Sequence, residues 1–232
     1  MKYFKSLTST SDYIKEHVNE LDNFECVLCD EQTKGRGRDG HTWESHVKKN
    51  AMFSILIKDQ KIIKKFNLLS VITGLTIAEY LETVGLSDVM IKWPNDVLVN
   101  DLKIAGILLE GNIPQYIIVG IGLNVNQTSF PHFPATSIKN EIQENLDTRL
   151  VVNDLFDLLK TRYKSLGDDL YDYIDDYNDK DYLLDKEITF MKDGELCEGI
   201  AKGIDLDGSL KVIYNNKTIN VFSNEVNLIR KK

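Results

Sequence analysis

Between residues 89 and 125, hydrophobic and polar side chains alternate over four short segments. Alternation with a period of two is typical of a strand that buries one face. Pro94-Asn95-Asp96 and Asn100-Asp101, which separate the first three segments, are residues that favour tight turns. The pattern therefore predicts an antiparallel meander of four strands, over residues 89–93, 97–99, 103–110 and 116–125.

Two longer segments repeat their apolar residues at helical spacing. We expect one helix from about residue 63 to 84 and another from about residue 152 to 177. A shorter helix is predicted after Ser9-Thr10-Ser11, which are typical N-cap residues. Together with apolar strands near Cys26 and over residues 51–57, this order of elements indicates an α+β domain with a mixed or antiparallel sheet.

The spacing of apolar residues changes from about residue 184 onward. Short apolar runs are separated there by Asp193-Gly194, Asp207-Gly208 and Asn215-Asn216, which are pairs typical of hairpin turns. Strands at such short intervals predict a small all-β barrel. We therefore expect a larger domain at residues 1–183 and the barrel at residues 184–232.

Composition and charge narrow the classes of protein that this chain could represent. It has 232 residues, 42% of them hydrophobic, a net charge of −8 and a pI of about 5.1. An acidic surface repels nucleic acid and anionic membranes, so we expect neither as a partner. The first residues lack the apolar stretch of a signal peptide, and no apolar run approaches the roughly 20 residues of a membrane helix. These features predict a cytoplasmic protein.

The three cysteines do not form a recognisable disulfide framework. Cys26 and Cys29 make a C-x-x-C pair, but they lie in an apolar run that predicts a buried strand, with the two thiols on opposite faces. A zinc site would need two further ligands at suitable spacing. We therefore interpret both cysteines as small buried side chains.

A glycine- and arginine-rich segment, Gly35-Arg36-Gly37-Arg38-Asp39-Gly40, is the first candidate for chemistry. Glycine lets the backbone approach a ligand closely, and arginine supplies fixed positive charge for phosphate or carboxylate. By itself the segment could equally be a flexible surface loop or part of a nucleic-acid-binding segment. Other features of the chain must decide between these interpretations.

Two further features lie in the predicted meander. Lys92 ends an apolar strand just before Trp93-Pro94-Asn95-Asp96, and a buried lysine needs an anionic partner unless its ammonium reaches solvent. In the strand at residues 116–125, alternation places the apolar side chains on one face and Gly120, Gly122 and Asn124 on the other. A sheet face without bulky side chains suits a flat ligand, although glycine also serves a bulge or a close backbone contact.

Together, the cations and the glycine face favour a site that brings two anions into contact, such as a carboxylate and the α-phosphate of ATP. The chain contains neither a Walker A motif nor a G-x-G-x-x-G after a strand, which argues against P-loop enzymes and Rossmann dehydrogenases. Ser9 and the four histidines form no recognisable hydrolase arrangement.

At these positions the sequence resembles the biotin protein ligases. The resemblance extends from about Ser6 through the larger domain, and its motifs occur in the family's order: Ser9-Thr10, Gln32, Gly35-Arg36-Gly37-Arg38, Trp43, Lys92-Trp93-Pro94-Asn95-Asp96, Lys103-Ile104-Ala105-Gly106-Ile107-Leu108, Gly120 to Asn126 and Ala135-Thr136-Ser137. It implies a class II synthetase-like catalytic domain followed by a small SH3-like barrel.

The resemblance also implies a reaction in two steps. Biotin and MgATP form biotinyl-5′-AMP and pyrophosphate, and a lysine of a biotin carboxyl carrier protein then takes the biotinyl group. ATP and Mg²⁺ are thus the expected cosubstrate and cofactor, with the metal held by the ATP phosphates. Whether the chain is a monomer or a homodimer stays open.

The family's residue roles transfer to matching positions of this chain. Lys92, Arg36 and Arg38 are the expected catalytic residues, with Lys92 between the biotin carboxylate and the α-phosphate. The expected biotin-binding residues are Ser9, Thr10, Ser11, Gln32, Arg36, Gly37, Arg38, Lys92 and Gly106. The expected ATP- and adenylate-binding residues are Arg36, Arg38, Trp43, Lys92, Asn95, Lys103 and Asn124.

The chain departs from the family's pattern at Lys34, where a small residue is usual, and at His41, where a further arginine is common. Both departures lie in the loop that is expected to close over the adenylate. Some family members repress transcription through an amino-terminal helix-turn-helix domain. Only about eight residues precede Ser9, so we expect neither that domain nor repression by that route.

Three alternatives remain beside the ligase. A lipoate or octanoate ligase or transferase would use the same fold, although the arginine loop and the Lys92–Asp96 motif favour biotin. A non-enzymatic protein that binds an anion or a partner would use the loop and the barrel without catalysis. RNA binding through the loop is the weakest alternative, because interleaved aromatic residues are missing and the net charge is acidic.

Overall fold

A computed structural model describes residues 1–44, 46–167, 170–192, 194–223 and 230–231. The helices within these residues are α1 (Thr10–Glu16), α2 (Gln60–Ile63), α3 (Phe66–Thr83), α4 (Ile138–Ile142), α5 (Thr148–Lys164) and α6 (Tyr171–Asp179). The strands are β1 (Lys2–Phe4), β2 (Cys26–Cys29), β3 (Asn50–Ile57), β4 (Val89–Lys92), β5 (Asp96–Val99), β6 (Leu102–Asn112), β7 (Tyr116–Asn124), β8 (Glu187–Lys192), β9 (Glu195–Ile204), β10 (Leu210–Tyr214), β11 (Lys217–Val221) and β12 (Arg230–Lys231).

The first seven strands form one mixed sheet in the order β1-β2-β3-β7-β6-β5-β4. Only β1 and β2 run parallel, and the other neighbours are antiparallel. The strands β4 to β7 follow one another across the sheet, so the predicted meander is confirmed. The pairing of β3 with β7 then joins β1, β2 and β3 to the meander.

The two faces of this sheet bury different sets of side chains. Ile117, Val119 and Ile121 of β7 belong to a large core with residues of α3 and α5. On the opposite face, Ile118 joins a smaller cluster with Ile14 of α1. The separation follows from the alternation of side chains along a strand. It leaves the glycine positions of β6 and β7 on the same face as α1.

The last five strands form a second, antiparallel sheet in the order β11-β10-β9-β8-β12. This confirms an α+β fold with a small all-β unit at the carboxyl end. Its buried residues continue the core of the first sheet. The turns predicted at Asp207-Gly208 and Asn215-Asn216 connect consecutive strands, and Asp193 of the remaining pair lies outside the described residues. The domain boundary at residue 183 stays a prediction.

The prediction of one helix over residues 152–177 is wrong. The structure has two helices instead, because α5 ends at Lys164 and α6 begins at Tyr171. Ser165 and Gly167 lie between the two helices, and both favour a break over a continuous helix. None of the helices in the described ranges has the length and apolar character required to cross a membrane.

Candidate active site

A cavity of about 700 Å³ lies over the sheet face that carries the glycines of β6 and β7. Its size is in the range of small-molecule binding sites. Four parts of the chain surround it: the start of α1, the loop at residues 35–43, the turn between β4 and β5, and the segment at residues 132–134. The sequence had predicted a ligand on this face.

One end of the cavity carries a cluster of hydroxyl groups. The hydroxyl of Ser54 is fully buried and lies 2.7 Å from that of Thr10 and 3.0 Å from that of Ser11. The Gln32 side-chain oxygen accepts hydrogen bonds from the backbone N–H and the hydroxyl of Thr10, at 2.8 and 3.1 Å. Ser9 caps α1. This end can therefore both donate and accept hydrogen bonds within an otherwise apolar surrounding.

The glycine face lies beside this cluster and is covered by the Trp43 indole. Gly106 pairs with Gly122 across β6 and β7. A Cβ atom at Gly122 would lie 2.4 to 2.9 Å from three ring atoms of Trp43, and one at Gly106 would lie 3.0 Å from the ring. Only glycine allows the indole to lie this close to the sheet. The Trp43 Nε1 is buried and makes no hydrogen bond within the described part of the chain.

Two lysines bring positive charge to the cavity. The Lys103 side chain extends over Gly106, where its Nζ is 3.2 Å from the position of an added Cβ. The same Nζ pairs with the Asp96 carboxylate at 2.6 Å and lies 5.7 Å from the Trp43 ring centroid. Lys92 ends β4 opposite Asp96 and also lines the cavity. Of the two, Lys103 lies nearer to the glycine face.

The loop at residues 35–43 is held in place by its own backbone and by charge. The Gly37 N–H donates to the His41 carbonyl at 2.7 Å, and the Trp43 N–H donates to the Gly35 carbonyl at 3.0 Å. Hydrogen bonds of this kind fix the loop as a narrow, hairpin-like cover.

The Arg36 guanidinium attaches this cover to both sides of the cavity. It pairs with Asp12 of α1 at 2.5 Å and with Glu110 of β6 at 3.3 Å. The hydrogen bond from Arg36 lowers the pKa of Asp12 below its usual value. On the other flank, Arg38 donates a hydrogen bond to the Ser223 carbonyl at 2.6 Å. The loop thus closes over the cavity between α1, the first sheet and the second sheet.

Twelve of the thirteen residues predicted for the site line this cavity, namely Ser9, Thr10, Ser11, Gln32, Arg36, Gly37, Arg38, Trp43, Lys92, Asn95, Lys103 and Gly106. Asn124 is absent from the lining. Its side chain is buried and donates to the Thr136 carbonyl at 3.0 Å, which connects the end of β7 to the segment after it. The nucleotide role of Asn124 stays a prediction.

Sequence reasoning missed several residues of the cavity. Ser54 is one of only two polar residues in the otherwise apolar strand β3, and that isolation was the available signal. Asp96 was predicted to lie in a turn and in the Lys92–Asp96 motif but was given no role in the site, although it pairs with Lys103. His132, Phe133 and Tyr182 reach the cavity from segments without strong periodicity, so the local sequence gave no comparable signal.

Other reactive groups lie away from this cavity. Burial raises the pKa of the Cys26 and Cys29 thiols to about 12, so both stay protonated at neutral pH and are poor nucleophiles. This supports their interpretation as buried side chains. The described residues contain no group of three or more histidine, cysteine, aspartate or glutamate side chains that could hold a metal ion.

Asp181 is a buried carboxyl group beside β4. It is 4% exposed, and its Oδ1 accepts a hydrogen bond from the Leu183 N–H at 2.9 Å, whereas Oδ2 has no partner in the described residues. Burial raises its pKa to about 6, against the opposing effects of that hydrogen bond and of Lys186. The carboxylate form is therefore costly here.

Comparison with known proteins shows which family this chain resembles. Residues 3–124, more than half of the chain, match the model of the biotin/lipoate A/B protein ligase family. The bifunctional ligase/repressor BirA of Escherichia coli is 27% identical over 213 residues, which cover 88% of this chain and 66% of that protein. The chain thus spans slightly less than two thirds of that relative.

Two further proteins match this chain over most of their own length. The biotin–[acetyl-CoA-carboxylase] ligase of Mycobacterium tuberculosis is 27% identical over 206 residues, 86% of this chain and 77% of that protein. The biotin protein ligase of Aquifex aeolicus, solved in complex with biotin and ATP, superposes with a TM-score of 0.88 at 26% identity, covering 99% of this chain and 98% of that one. The chain belongs to the biotin/lipoate A/B protein ligase family.

Proposed function

We propose that this protein is an ATP-dependent biotin protein ligase, which forms biotinyl-5′-AMP and transfers biotin to a lysine of a biotin carboxyl carrier protein. The observation that carries the proposal is a single cavity that joins a buried hydroxyl cluster to a glycine face flanked by cations. The first part suits a polar ring system and the second suits a nucleotide. The relatives named above as biotin ligases support the same conclusion.

The hydroxyl cluster favours biotin over lipoate or octanoate. A cyclic urea both donates and accepts hydrogen bonds, and Thr10, Ser11 and Ser54 can do the same. A dithiolane ring or an alkyl chain would displace water from these hydroxyls without offering them hydrogen bonds. Each hydroxyl left unsatisfied would cost about 1–3 kcal/mol. Sites of this kind reject an analogue that lacks the polar group.

In the proposed first step, a biotin carboxylate oxygen attacks the α-phosphorus of ATP. The new P–O bond forms as the bond to the pyrophosphate oxygen breaks, and pyrophosphate leaves. Lys92 and Lys103 supply the charge that offsets repulsion between the two anions, since both line the cavity. Lys103 extends over Gly106. We therefore propose that Lys103 contributes at least as much to this charge stabilisation as Lys92 does.

Mg²⁺ would enter this site on the ATP phosphates. The ion prefers oxygen ligands and keeps several waters, so it needs only one or two protein carboxylates. Asp96 and Asp101 line the cavity and fit that limited requirement. Bound there, Mg²⁺ would neutralise charge on the leaving pyrophosphate.

In the proposed second step, the neutral amine of the acceptor lysine attacks the carbonyl carbon of the mixed anhydride. An amide bond forms, the C–O bond to AMP breaks, and the amine proton passes to solvent. The anhydride also reacts with water, so the loop must stay closed between the steps. The contacts of Arg36 with Asp12 and Glu110 support this role.

We further infer that residues 1–183 are the catalytic domain, that residues 184–232 are an SH3-like accessory domain, and that the protein acts in the cytoplasm. ATP is a cytoplasmic substrate, and the three free cysteines suit a reducing compartment.

Pyrophosphate exchange tests the proposal. The protein with MgATP should convert labelled pyrophosphate to ATP only when biotin is present, and lipoate or octanoate should not replace biotin. Exchange with lipoate alone would assign the protein to the other branch of the family. Binding of biotin without any exchange by the folded protein would indicate a binding module. Thr10→Val, which removes one hydroxyl, should weaken biotin binding, while Thr161→Val in α5, outside the cavity lining, serves as a matched control.

A further inference from the structure

One turn of the second sheet, residues 205–209 between β9 and β10, contacts the active-site wall. We infer that this turn positions the Lys92–Asn95 segment, so that Trp93 and Gly208 are positioning residues for adenylate formation. The inference rests on the proposed function for its effect on rate. The contact itself can be tested without it.

The contact is a buried hydrogen bond. The Trp93 side chain is 2% exposed, and its Nε1 donates to the Gly208 carbonyl at 3.1 Å. A buried indole N–H without an acceptor would be costly, so this bond fixes where the indole can lie. Trp93 is flanked by Lys92 and Pro94, and all three residues line the cavity.

Gly208 is packed closely against the first domain. A Cβ at this position would lie 2.9 Å from the Asn67 carbonyl oxygen, at the start of α3. The residue also has a backbone φ of +81°, which residues with a side chain rarely adopt. Both constraints require glycine, and both would be violated together by alanine.

The turn that presents Gly208 is braced by its own hydrogen bonds. The Asp205 N–H donates to the Ser209 carbonyl at 2.8 Å, and the Gly208 N–H donates to the Asp205 carbonyl at 2.9 Å. Asn220 of β11 donates to the Ser209 hydroxyl at 2.9 Å and to the Asp205 carboxylate at 3.0 Å. A turn braced in this way can hold a side chain from another domain in one position.

The remaining sides of the segment are also fixed. Asn95 donates to the Ile107 carbonyl at 3.2 Å and accepts from the Ile107 N–H at 2.8 Å, while Ser70 donates to the Pro94 carbonyl. These bonds hold the segment from β6 and from α3. The Gly208 carbonyl supplies the third support, from the second sheet.

A smaller cavity of about 230 Å³ adjoins this contact and is lined by Trp93, Gly208 and Ser223. The Ser223 carbonyl is the group that receives the Arg38 hydrogen bond. The carboxyl-terminal β unit therefore reaches the lysine segment through Gly208 and the arginine loop through Ser223, which follows β11. Displacing the sheet would disturb two walls of the active site at once.

Paired glycine substitutions test the inference. Gly194 has a φ of +83° in another hairpin of the same sheet and nothing within 4 Å of an added Cβ, so Gly194→Ala adds similar strain without the clash. Gly208→Ala should lower the turnover rate of biotin-dependent pyrophosphate exchange by about tenfold or more, since small displacements of reacting groups have such effects. Gly194→Ala should keep the wild-type rate, and biotin affinity should stay within about twofold of wild type in both.

Trp93→Phe removes the N–H donor without adding strain and should lower the same rate. Circular dichroism at the assay temperature identifies any variant that is unfolded. If Gly208→Ala is unfolded, the inference is tested with Trp93→Phe instead. The two substitutions should not add in the double variant, because they break one contact. Rates for Gly208→Ala equal to those for Gly194→Ala, or fully additive effects, would overturn the inference.

Fluorescence gives a readout that does not depend on activity. The chain has two tryptophans, so Trp43→Phe leaves Trp93 as the reporter. In that background, Gly208→Ala should shift Trp93 emission to longer wavelength, and Gly194→Ala should not. An unchanged spectrum would refute the contact even if the wild-type protein exchanges pyrophosphate. A shift in this background, together with no exchange by the folded wild-type protein, would leave the contact standing and refute the proposed function.

Discussion

Gly122→Ala tests whether the glycine face is required for the Trp43 indole to lie close to the sheet. The added Cβ would lie 2.4, 2.5 and 2.9 Å from atoms of the Trp43 ring. Carbon atoms pack comfortably at about 3.5–4.0 Å, so the indole must retreat by roughly 1 Å. Trp43 is only partly buried and can move outward, which should leave global stability nearly unchanged.

The cost should appear in nucleotide binding, because Trp43 is proposed to contact the nucleotide. Returning the indole to its position against the added Cβ when ATP binds would cost about 1–3 kcal/mol of overpacking. About 1.4 kcal/mol is a factor of ten in affinity, so ATP binding should weaken by about 5- to 150-fold. Gly106→Ala is the matched substitution, since its nearest neighbours are one ring atom at 3.0 Å and the mobile end of Lys103 at 3.2 Å. Its effect should be smaller.

Calorimetric titration of the biotin-saturated protein with a non-reactive ATP analogue measures both effects. The predicted order of affinity is wild type, then Gly106→Ala, then Gly122→Ala, with melting temperatures that differ little. Equal affinities for wild type and Gly122→Ala, or a larger loss for Gly106→Ala, would refute the reasoning about this face.

Three further predictions concern charge. Lys92→Ala should lower pyrophosphate exchange by about 10²–10³-fold while biotin binding stays measurable, whereas the exposed Lys61→Ala should have no effect. An unchanged rate would remove Lys92 from its role. Arg38→Gly should release the adenylate, which mass spectrometry would detect as biotin on lysines of an added bystander protein; unchanged selectivity would count against retention by Arg38. Asp181 has a raised pKa of about 6, so its folded form binds a proton that the unfolded chain has lost above about pH 4. Stability should therefore fall by about 2–3 kcal/mol from pH 4 to 6 and then level, and Asp181→Asn should remove this fall. Denaturant titration across pH checks this, and an equal pH dependence in the variant would contradict it.

The meander and the glycine face could be predicted because their signal is local. Alternation along a strand fixes which face each side chain occupies, and β7 places Ile121 and Gly122 on the expected faces. The roles of residues near the cavity came from the resemblance, and twelve of the thirteen positions line it. Asn124 differs because its amide bonds to Thr136, a contact that a linear pattern does not contain.

Other parts of the fold depend on contacts between distant residues. The strand β1 has only three residues and is stabilised by pairing with β2, so its own sequence carries little signal. The helix α5 begins earlier than predicted because the Asp147 side chain accepts a hydrogen bond from the Arg149 backbone N–H, a cap that was not recognised. The contact of Trp93 with Gly208 joins residues 115 positions apart and could be found only in the folded structure.

The central claim is that one cavity binds biotin and ATP and joins them. The most direct test is to mix stoichiometric protein with biotin, ATP and Mg²⁺, quench in acid and identify the released products by mass spectrometry. We expect biotinyl-5′-AMP and pyrophosphate in equal amounts, and neither product when biotin is omitted. Recovery of intact ATP and biotin from folded protein that binds both would contradict it.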